Sequence, residues 1–537
     1  MKFQEKLKKT PREDIWSEYC GFLDLGLSEY MFIQKRLMQE QVRLWCNSGL
    51  GRLILKDAQP VTVDEFRECM PLTTYEDYAE SLLTRRPEIL PSQPVIWVQS
   101  AWDGGHRPLK LSPYTKGMLD SLKHNLLSVL ILSAASGKGD IRVKYGDRIV
   151  YGGAPLPYAT GLIPSLLSEE IDFSWLPDTM EESQTSLSLR SKKGIEMAIG
   201  RGIDFFISMG NIAGYITSSF PGEIGNIKPL GVSPLGGLKY LRAKYIGKRD
   251  GKALRPRDFF SPKGIICACS DIKNHKEIVE DGWGVSPVDF SFAAESSCIG
   301  VDSWERQGIY FFPDTCFYEF IPENEMIKNM NDPEYKPRTC LMDEVGAGEN
   351  YELVISLFHG GAFMRYRIGD MYRCTYAGRG NGLPRFTYID RDPSVIDIAG
   401  FTRLNHSSIE EVLRLSKLGV GQWLAKKEYD EADNPYLHIY LEILPNSQEL
   451  DVVKKSTLAE HFSVYFKYYD SDYSDLKQLI NTDPLKITVL KFGSIDRYES
   501  HTGRAIPRIN PSTVDIAELM KFQSKSRADI REEAELR

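Results

Sequence analysis

The 537-residue sequence has no long apolar run: its best stretch, Leu126 to Ala135, falls well short of the roughly 20 residues that a membrane span needs. No apolar core follows the basic start Met1-Lys2-Phe3-Gln4-Glu5-Lys6-Leu7-Lys8-Lys9 either, so the protein reads as cytoplasmic, with no membrane partner. Its nine cysteines form no framework, and Cys267 and Cys269 make a C-x-C inside an apolar run rather than a C-x-x-C pair; reduced, buried thiols are expected. The eight histidines are dispersed, with no H-E-x-x-H and no pair at i, i+4, so no structural metal cage is expected. An excess of positive charge is also missing. With a formal net charge of -8 and a pI of about 5.7, the chain offers no basic face for a nucleic-acid backbone.

What is present is an ordinary globular composition, 42% hydrophobic and 26% charged, in a chain long enough for two or three domains. Residues 12–57 carry helical periodicity, with Tyr30, Ile33, Leu37 and Leu44 as the expected buried face. Val95 to Gln99 reads as a strand running into the turn Ser100-Ala101-Trp102-Asp103-Gly104-Gly105, and residues 115–135 as a helix, together a β-loop-α unit. Phe205 to Met209 and Gly264 to Cys269 are near-continuous apolar runs, the pattern of strands buried on both faces of an α/β core. After Asp390 the pattern changes. Ser407 to Leu415 and Glu449 to Phe466 are helical, Tyr436 to Leu444 and Leu485 to Lys491 are strands, and no internal repeat accompanies them; the charge-mixed run from Lys521 to Arg537 reads as a solvated helix or frayed tail.

Upstream of that break, Tyr351 to Phe358 reads as a strand, Gly360-Gly361 supplies a turn tolerant of positive φ, and Phe363 to Ile368 alternates again, which puts Asp370 at a hairpin end. A carboxylate there can accept hydrogen bonds from two sugar hydroxyls, or it can be a turn aspartate bonding its own backbone.

Tyr366-Arg367-Ile368-Gly369-Asp370 resembles the Y-R-x-G-D motif of the acyl-adenylate-forming superfamily, and within it the chain is most similar to the auxin-responsive promoter family of acyl acid amido synthetases. Pro71-Leu72-Thr73-Thr74-Tyr75-Glu76-Asp77-Tyr78, Phe292-Ala293-Ala294-Glu295-Ser296-Ser297 and Phe317-Tyr318-Glu319-Phe320-Ile321-Pro322 lie in the order that family shows. The resemblance implies a large N-terminal α/β domain with a β-barrel-like subdomain, hinged to a small α+β C-terminal domain. Residues 1–390 would bind ATP and the acid, 391–394 would form the hinge near Ser394, and 395–537 would rotate. It implies activation of a carboxylic acid by ATP and Mg²⁺ to an acyl-adenylate. Transfer would follow to an amine such as an amino acid or, alternatively, to coenzyme A; a noncatalytic nucleotide- or acyl-binding relative is the third reading.

The site residues follow from the same resemblance. Both reactants of adenylation are anions, so cations and donors must meet the phosphates. Lys110 and Arg107 are the candidate cations, with Ser100, Gly104 and Gly105 in a phosphate loop and Ser270 among the nucleotide contacts. Lys110-Leu111-Ser112-Pro113-Tyr114-Thr115 is similar to the family's K-x-x-P-x-T, whereas Ala101-Trp102-Asp103 replaces its hydroxyl-rich run, and a plain glycine turn is an equal reading of that loop. Asp370 is implied to hold ribose, Arg391 to reach the nucleotide from the hinge, and Glu295 to ligate Mg²⁺. The position of the family's C-terminal lysine holds Ala505 on one alignment and Arg504 on another, in Thr502-Gly503-Arg504, so Arg504 is the candidate catalytic cation there. Ser208 to Tyr215 would line the acid pocket or serve as core.

Overall fold

The structure, a computed structural model, describes residues 1–56, 58–101, 109–177, 187–223, 241–242, 245, 249, 253–268, 272–378, 382–398, 402–431, 434–445, 452–463 and 483–524. The chain divides into two compact units, one of Met1–Ser100 and Leu109–Asp390, the other of Ala101–Pro108 and Arg391–Arg537.

In the first unit, strands β1 (Ile96–Ala101) and β2 (Leu109–Tyr114) form a two-stranded sheet. The main sheet has 11 strands: β3 (Arg148–Tyr151), β4 (Ser174–Leu176), β5 (Phe205–Met209), β6 (Gly264–Ala268), β7 (Val288–Ala293), β8 (Ser297–Asp302), β9 (Ile309–Phe311), β10 (Cys316–Pro322), β11 (Asn350–Leu357), β12 (Tyr366–Tyr376) and β13 (Arg385–Arg391). Its order is β10-β11-β12-β13-β9-β8-β7-β6-β5-β3-β4. Strands β3 to β7 pair in parallel, and β7-β8-β9 turn antiparallel. The expected barrel-like subdomain takes the form of this antiparallel stretch, hydrogen-bonded edge to edge with the parallel half. Every residue of β5 and β6 is buried, because helices cover both faces of a parallel sheet and leave no polar side. Helix Lys116–Ala134 packs against β6, β7 and β8, its first turn capped by Thr115, whose Oγ1 accepts from the Met118 amide at 3.2 Å.

Two sequence expectations change here. The segment after β1 is not β-loop-α: residues 109–114 are a second strand, despite Pro113, and only then does the helix begin. Proline lacks a donor but is tolerated in a two-stranded sheet, where one side of each strand has no partner to bond. The buried face of helix Leu27–Cys46 also differs from the apolar stripe expected, since Leu44 is exposed while Gln34 and Gln41 are buried. Both glutamines are used up on backbone. Gln41 donates to the Gly361 carbonyl at 3.0 Å and accepts from the Gly360 amide at 2.9 Å, and Gln34 donates to the Cys316 carbonyl and accepts from the Tyr318 amide. The turn at Gly360, with φ +78°, is thereby fixed by a helix over 300 residues away in sequence.

In the second unit, β14 (Ile396–Ile398) and β15 (Thr402–Leu404) form a hairpin, and β16 (Val420–Tyr429), β17 (Pro435–Ile443) and β18 (Leu485–Leu490) form a three-stranded sheet, antiparallel then parallel. Helices His406–Leu415, Val452–Ser463, Ser494–Thr502 and Thr513–Ser524 accompany them. Buried Glu442 accepts from the Gly493 and Ile495 amides at 2.8 Å each, satisfying the orphan donors that open helix Ser494–Thr502. Among the described residues no helix is long and apolar enough to cross a membrane.

A buried carboxyl facing a half-buried one in the main sheet yields a stability prediction. The pairing of Phe290 with Val301 sets Asp289 of β7 opposite Asp302 of β8, and Asp302 is almost fully buried. Burial, with the charge of Asp289 adding to it, raises the Asp302 carboxyl to about 7 from its ordinary 3.8. The folded state therefore holds a proton that the unfolded chain releases, so this group's contribution to stability falls as pH rises from about 4 to about 7. Asp302→Asn is expected to stabilise the protein at pH 8, by up to about 4 kcal/mol for a shift of this size, and not at pH 4. Urea unfolding at the two pH values checks it, and equal effects at both would refute the assignment.

Candidate active site

The site is built on the turn between β7 and β8, at the carboxyl end of the parallel strands, the edge where open α/β sheets bind ligands. Ala293 pairs with Ser297, so Ala294, Glu295 and Ser296 form a three-residue hairpin loop, and Ser297 takes the left-handed φ of +64° that such loops require. The Tyr114 hydroxyl donates to the Ala294 carbonyl at 2.9 Å and holds the loop against β2.

Strand alternation places Lys110 on the same side of β2 as Tyr114. The Lys110 Nζ donates to Glu295 Oε1 at 3.0 Å and to the Tyr366 hydroxyl at 3.1 Å, and that hydroxyl donates to the same Oε1 at 3.0 Å. The side chains of Lys110 and Glu295 are only 8% and 4% exposed, so the ion pair is removed from water. The ammonium also lies over the rings of Tyr75 and Tyr366, at 5.5 and 5.8 Å. Tyr75 is locked in turn. Its hydroxyl accepts from the Leu111 amide at 2.6 Å, and burial, with the Glu295 charge contributing, raises it above its ordinary range. Sequence reasoning assigned no role to Tyr75, Tyr114 or the Tyr366 hydroxyl; the one available signal was that all three tyrosines stand inside motifs.

The Pro71 to Tyr78 motif acts on the start of β12. Thr73 pairs with Tyr366, its amide donating to the Arg365 carbonyl at 2.9 Å and its carbonyl accepting from the Arg367 amide at 2.8 Å, while its hydroxyl donates to the Met364 carbonyl. The two arginines flanking Tyr366 are consumed structurally. Arg365, at φ +45°, forks onto Glu319 with 3.0 Å bonds from Nε and Nη2, and Arg67 shares that carboxylate. Arg367 forks onto buried Glu352 at 2.7 Å twice. These pairs clamp the backbone from which the Tyr366 hydroxyl reaches Glu295.

Asp370 does not sit at a hairpin end. It is the fifth residue of β12, in a bulge where Met371 pairs with Glu352 and Arg367 with Val354, with Gly369 at φ +77°. The strand itself begins at Tyr366, not Phe363, because residues 360–365 are spent on the turn that Gln41 holds. A bulge re-aims a side chain, which a period-2 reading cannot foresee. Asp370 is half-buried on this bulge.

The remaining candidates lie apart in the chain. Ser100 is the last residue but one of β1, its Oγ buried and without a hydrogen-bond partner among the described residues. Gly104, Gly105, Arg107 and Ser270 lie outside the described residues. Ser208, last but one in β5, is buried, with no hydrogen-bond partner for its Oγ among the described residues, and a Cβ on Gly152 would come within 2.8 Å of that oxygen, so the strand ends pack closely there. In the second unit Arg391 pairs with buried Asp397 at 3.5 Å, an anchor that Arg403 shares at 3.2 Å. Arg504 is 62% exposed and pairs with Asp515 at 2.6 Å, while neighbouring Ala505 is exposed. At the segment 391–394, the Asn510 amide donates to the carbonyls of Pro393 and Val395, and Ser394 is held by an Asx turn from Asp392.

Glu295 offers an oxygen donor of the kind Mg²⁺ takes, with phosphate oxygens and water completing such a shell, so one carboxylate is a sufficient protein contribution. No group of three or more candidate ligands forms a preformed metal cage among the described residues.

Residues 309–391, which run from β9 through β13, match the GH3 family central domain. The fold is similar to that of the acyl acid amido synthetase AtGH3.15 in complex with 2,4-DB, with a TM-score of 0.51, 16% identity and 96% of both chains covered. It is also similar to that of 2-hydroxyisobutyryl-CoA ligase in complex with 2-HIB-AMP and CoA, with a TM-score of 0.58, 15% identity and 94% of both chains covered. No curated protein matches the sequence significantly.

Proposed function

With a GH3 central domain in a chain that has the fold of the adenylate-forming superfamily, we propose that this protein is a ligase that activates a carboxylic acid with Mg-ATP to an acyl-adenylate and passes the acyl group to an amine such as an amino acid. The observation that carries the proposal is the convergence of Lys110, Glu295 and Tyr366 at the carboxyl edge of the parallel strands, beside a GH3 domain. That cluster supplies a cation for the phosphates and a carboxylate for the metal that accompanies them. Asp370 is assigned to the ribose hydroxyls and Arg391 to the nucleotide, and Arg504 to transition-state charge. Ser208 to Tyr215, which runs from the end of β5 into helix Gly210–Glu223, is assigned to the acid pocket. The 2-HIB-AMP and CoA of the ligase neighbour support the acyl-adenylate step and keep coenzyme A as the competing acceptor.

Calorimetric titration with Mg-ATP and with AMP tests the nucleotide part without knowledge of the acid. Binding is expected, and Asp370→Ala is expected to weaken it roughly 10- to 100-fold, the worth of hydrogen bonds to a charged group. Pyrophosphate release would then be measured over a panel of acids, with amino acids and coenzyme A as alternative acceptors; product formed only with the thiol would refute amide synthesis. No nucleotide binding at all would refute adenylation.

A further inference from the structure

Lys110 stands where a metal ion would also stand. Its ammonium is bonded to Glu295 Oε1, the Tyr366 hydroxyl fixes the same oxygen, and two aromatic faces close over the cation. With the Lys110 side chain only 8% exposed, an ammonium that leaves Glu295 without meeting another anion would be a desolvated, unpaired charge, which is costly. Two cations cannot share one carboxylate oxygen in a buried setting without strong repulsion.

We propose that Lys110 is a placeholder cation: it neutralises Glu295 while no nucleotide is bound and releases that carboxylate when the triphosphate offers it a new anion. The inference rests on the adenylation reading and adds an order of events to it. The nucleotide-free protein is closed to divalent cations at Glu295, and triphosphate and metal bind with positive coupling, because each favours the arrangement in which Lys110 has left the carboxylate. Tyr366 is the positioning residue, since its hydroxyl serves both partners and the Thr73 pairing and the Arg365 and Arg367 clamps fix its backbone.

The test is titration of nucleotide-free protein with MnCl₂, read by calorimetry and by the electron paramagnetic resonance of the free ion. Wild type is expected to bind Mn²⁺ weakly. Lys110→Met is expected to bind it about 10-fold more tightly or better, within the usual 5- to 150-fold span of site coupling. That gain should vanish in the double variant Lys110→Met with Glu295→Gln. Should the methionine variant not fold, Lys110→Gln, which keeps a donor toward Glu295, replaces it. Equal Mn²⁺ affinity in wild type and the lysine variant would overturn the placeholder role, as would a gain that survives Glu295→Gln. Because no ATP is present, failure of pyrophosphate release would overturn the function proposed above and leave this result standing.

Discussion

Arg504→Ala is expected to slow pyrophosphate release about 10²- to 10³-fold, the usual loss when one preorganised donor to developing charge is removed. The fold should survive, because the side chain is 62% exposed and its partners keep other bonds: Asp515 still accepts from Ser512 at 2.6 Å and from Tyr498 at 2.9 Å. The measurement is a coupled pyrophosphate assay beside a thermal melt. Unchanged turnover would remove Arg504 from the chemistry. If Ala505→Lys then created or raised turnover, the chain would read as a binding protein that has lost its cation at that position. The guanidinium is well placed to be mobile: the ion pair with Asp515 at 2.6 Å orients it, but solvent screens so exposed a pair, so releasing it costs little.

Glu319→Gln is expected to destabilise the first unit by about 3 to 5 kcal/mol, the usual result of stranding a buried charge. Arg365 is buried with it and Arg67 largely so; both spend bonds on this one carboxylate, and Thr339 donates to it at 2.6 Å. Burial alone would raise the Glu319 carboxyl, but Arg365 and then Arg67 outweigh it and hold it below its ordinary value. A depressed carboxyl contributes stability above the pKa of the unfolded chain and loses it as pH falls through the folded one. The gap between wild type and Glu319→Gln should therefore be full at pH 7 and shrink below the usual carboxylate range. Urea unfolding at pH 7 and in acid reads it directly. A glutamine variant as stable as wild type at pH 7 would mean the arginines find other partners. The site should suffer as well, because Arg365 sets the backbone that carries Tyr366.

Local signals carried much of the architecture. The buried parallel strands β5 and β6 were legible because a strand covered on both faces must be apolar throughout. The helices at Lys116–Ala134, His406–Leu415 and Val452–Ser463 and the strands β17 and β18 were legible because periods of 3.6 and 2 persist within each segment, whereas β14, β15, β16 and helix Ser494–Thr502 drew no reading. Strand β2 was not, since Pro113 and a neighbouring glycine turn mimic a loop, and whether a proline is tolerated depends on the partner across the sheet. The face of helix Leu27–Cys46 was misjudged for a related reason. A buried glutamine looks like a surface residue until the loop whose backbone it satisfies is known.

By itself the sequence determined the α/β class, the change of character after Asp390 and the residue types able to meet an anionic substrate, because period, composition and motif order are properties of neighbouring residues. The tertiary structure alone decided which of those residues meet. Lys110 reaches Glu295 across 185 residues and Tyr366 across 256, and the two arginines flanking Tyr366 anchor its backbone on the buried carboxylates of Glu319 and Glu352. Each outcome follows from strand order, bulge position and competition among buried charges for partners, and none of these is encoded in spacing along the chain.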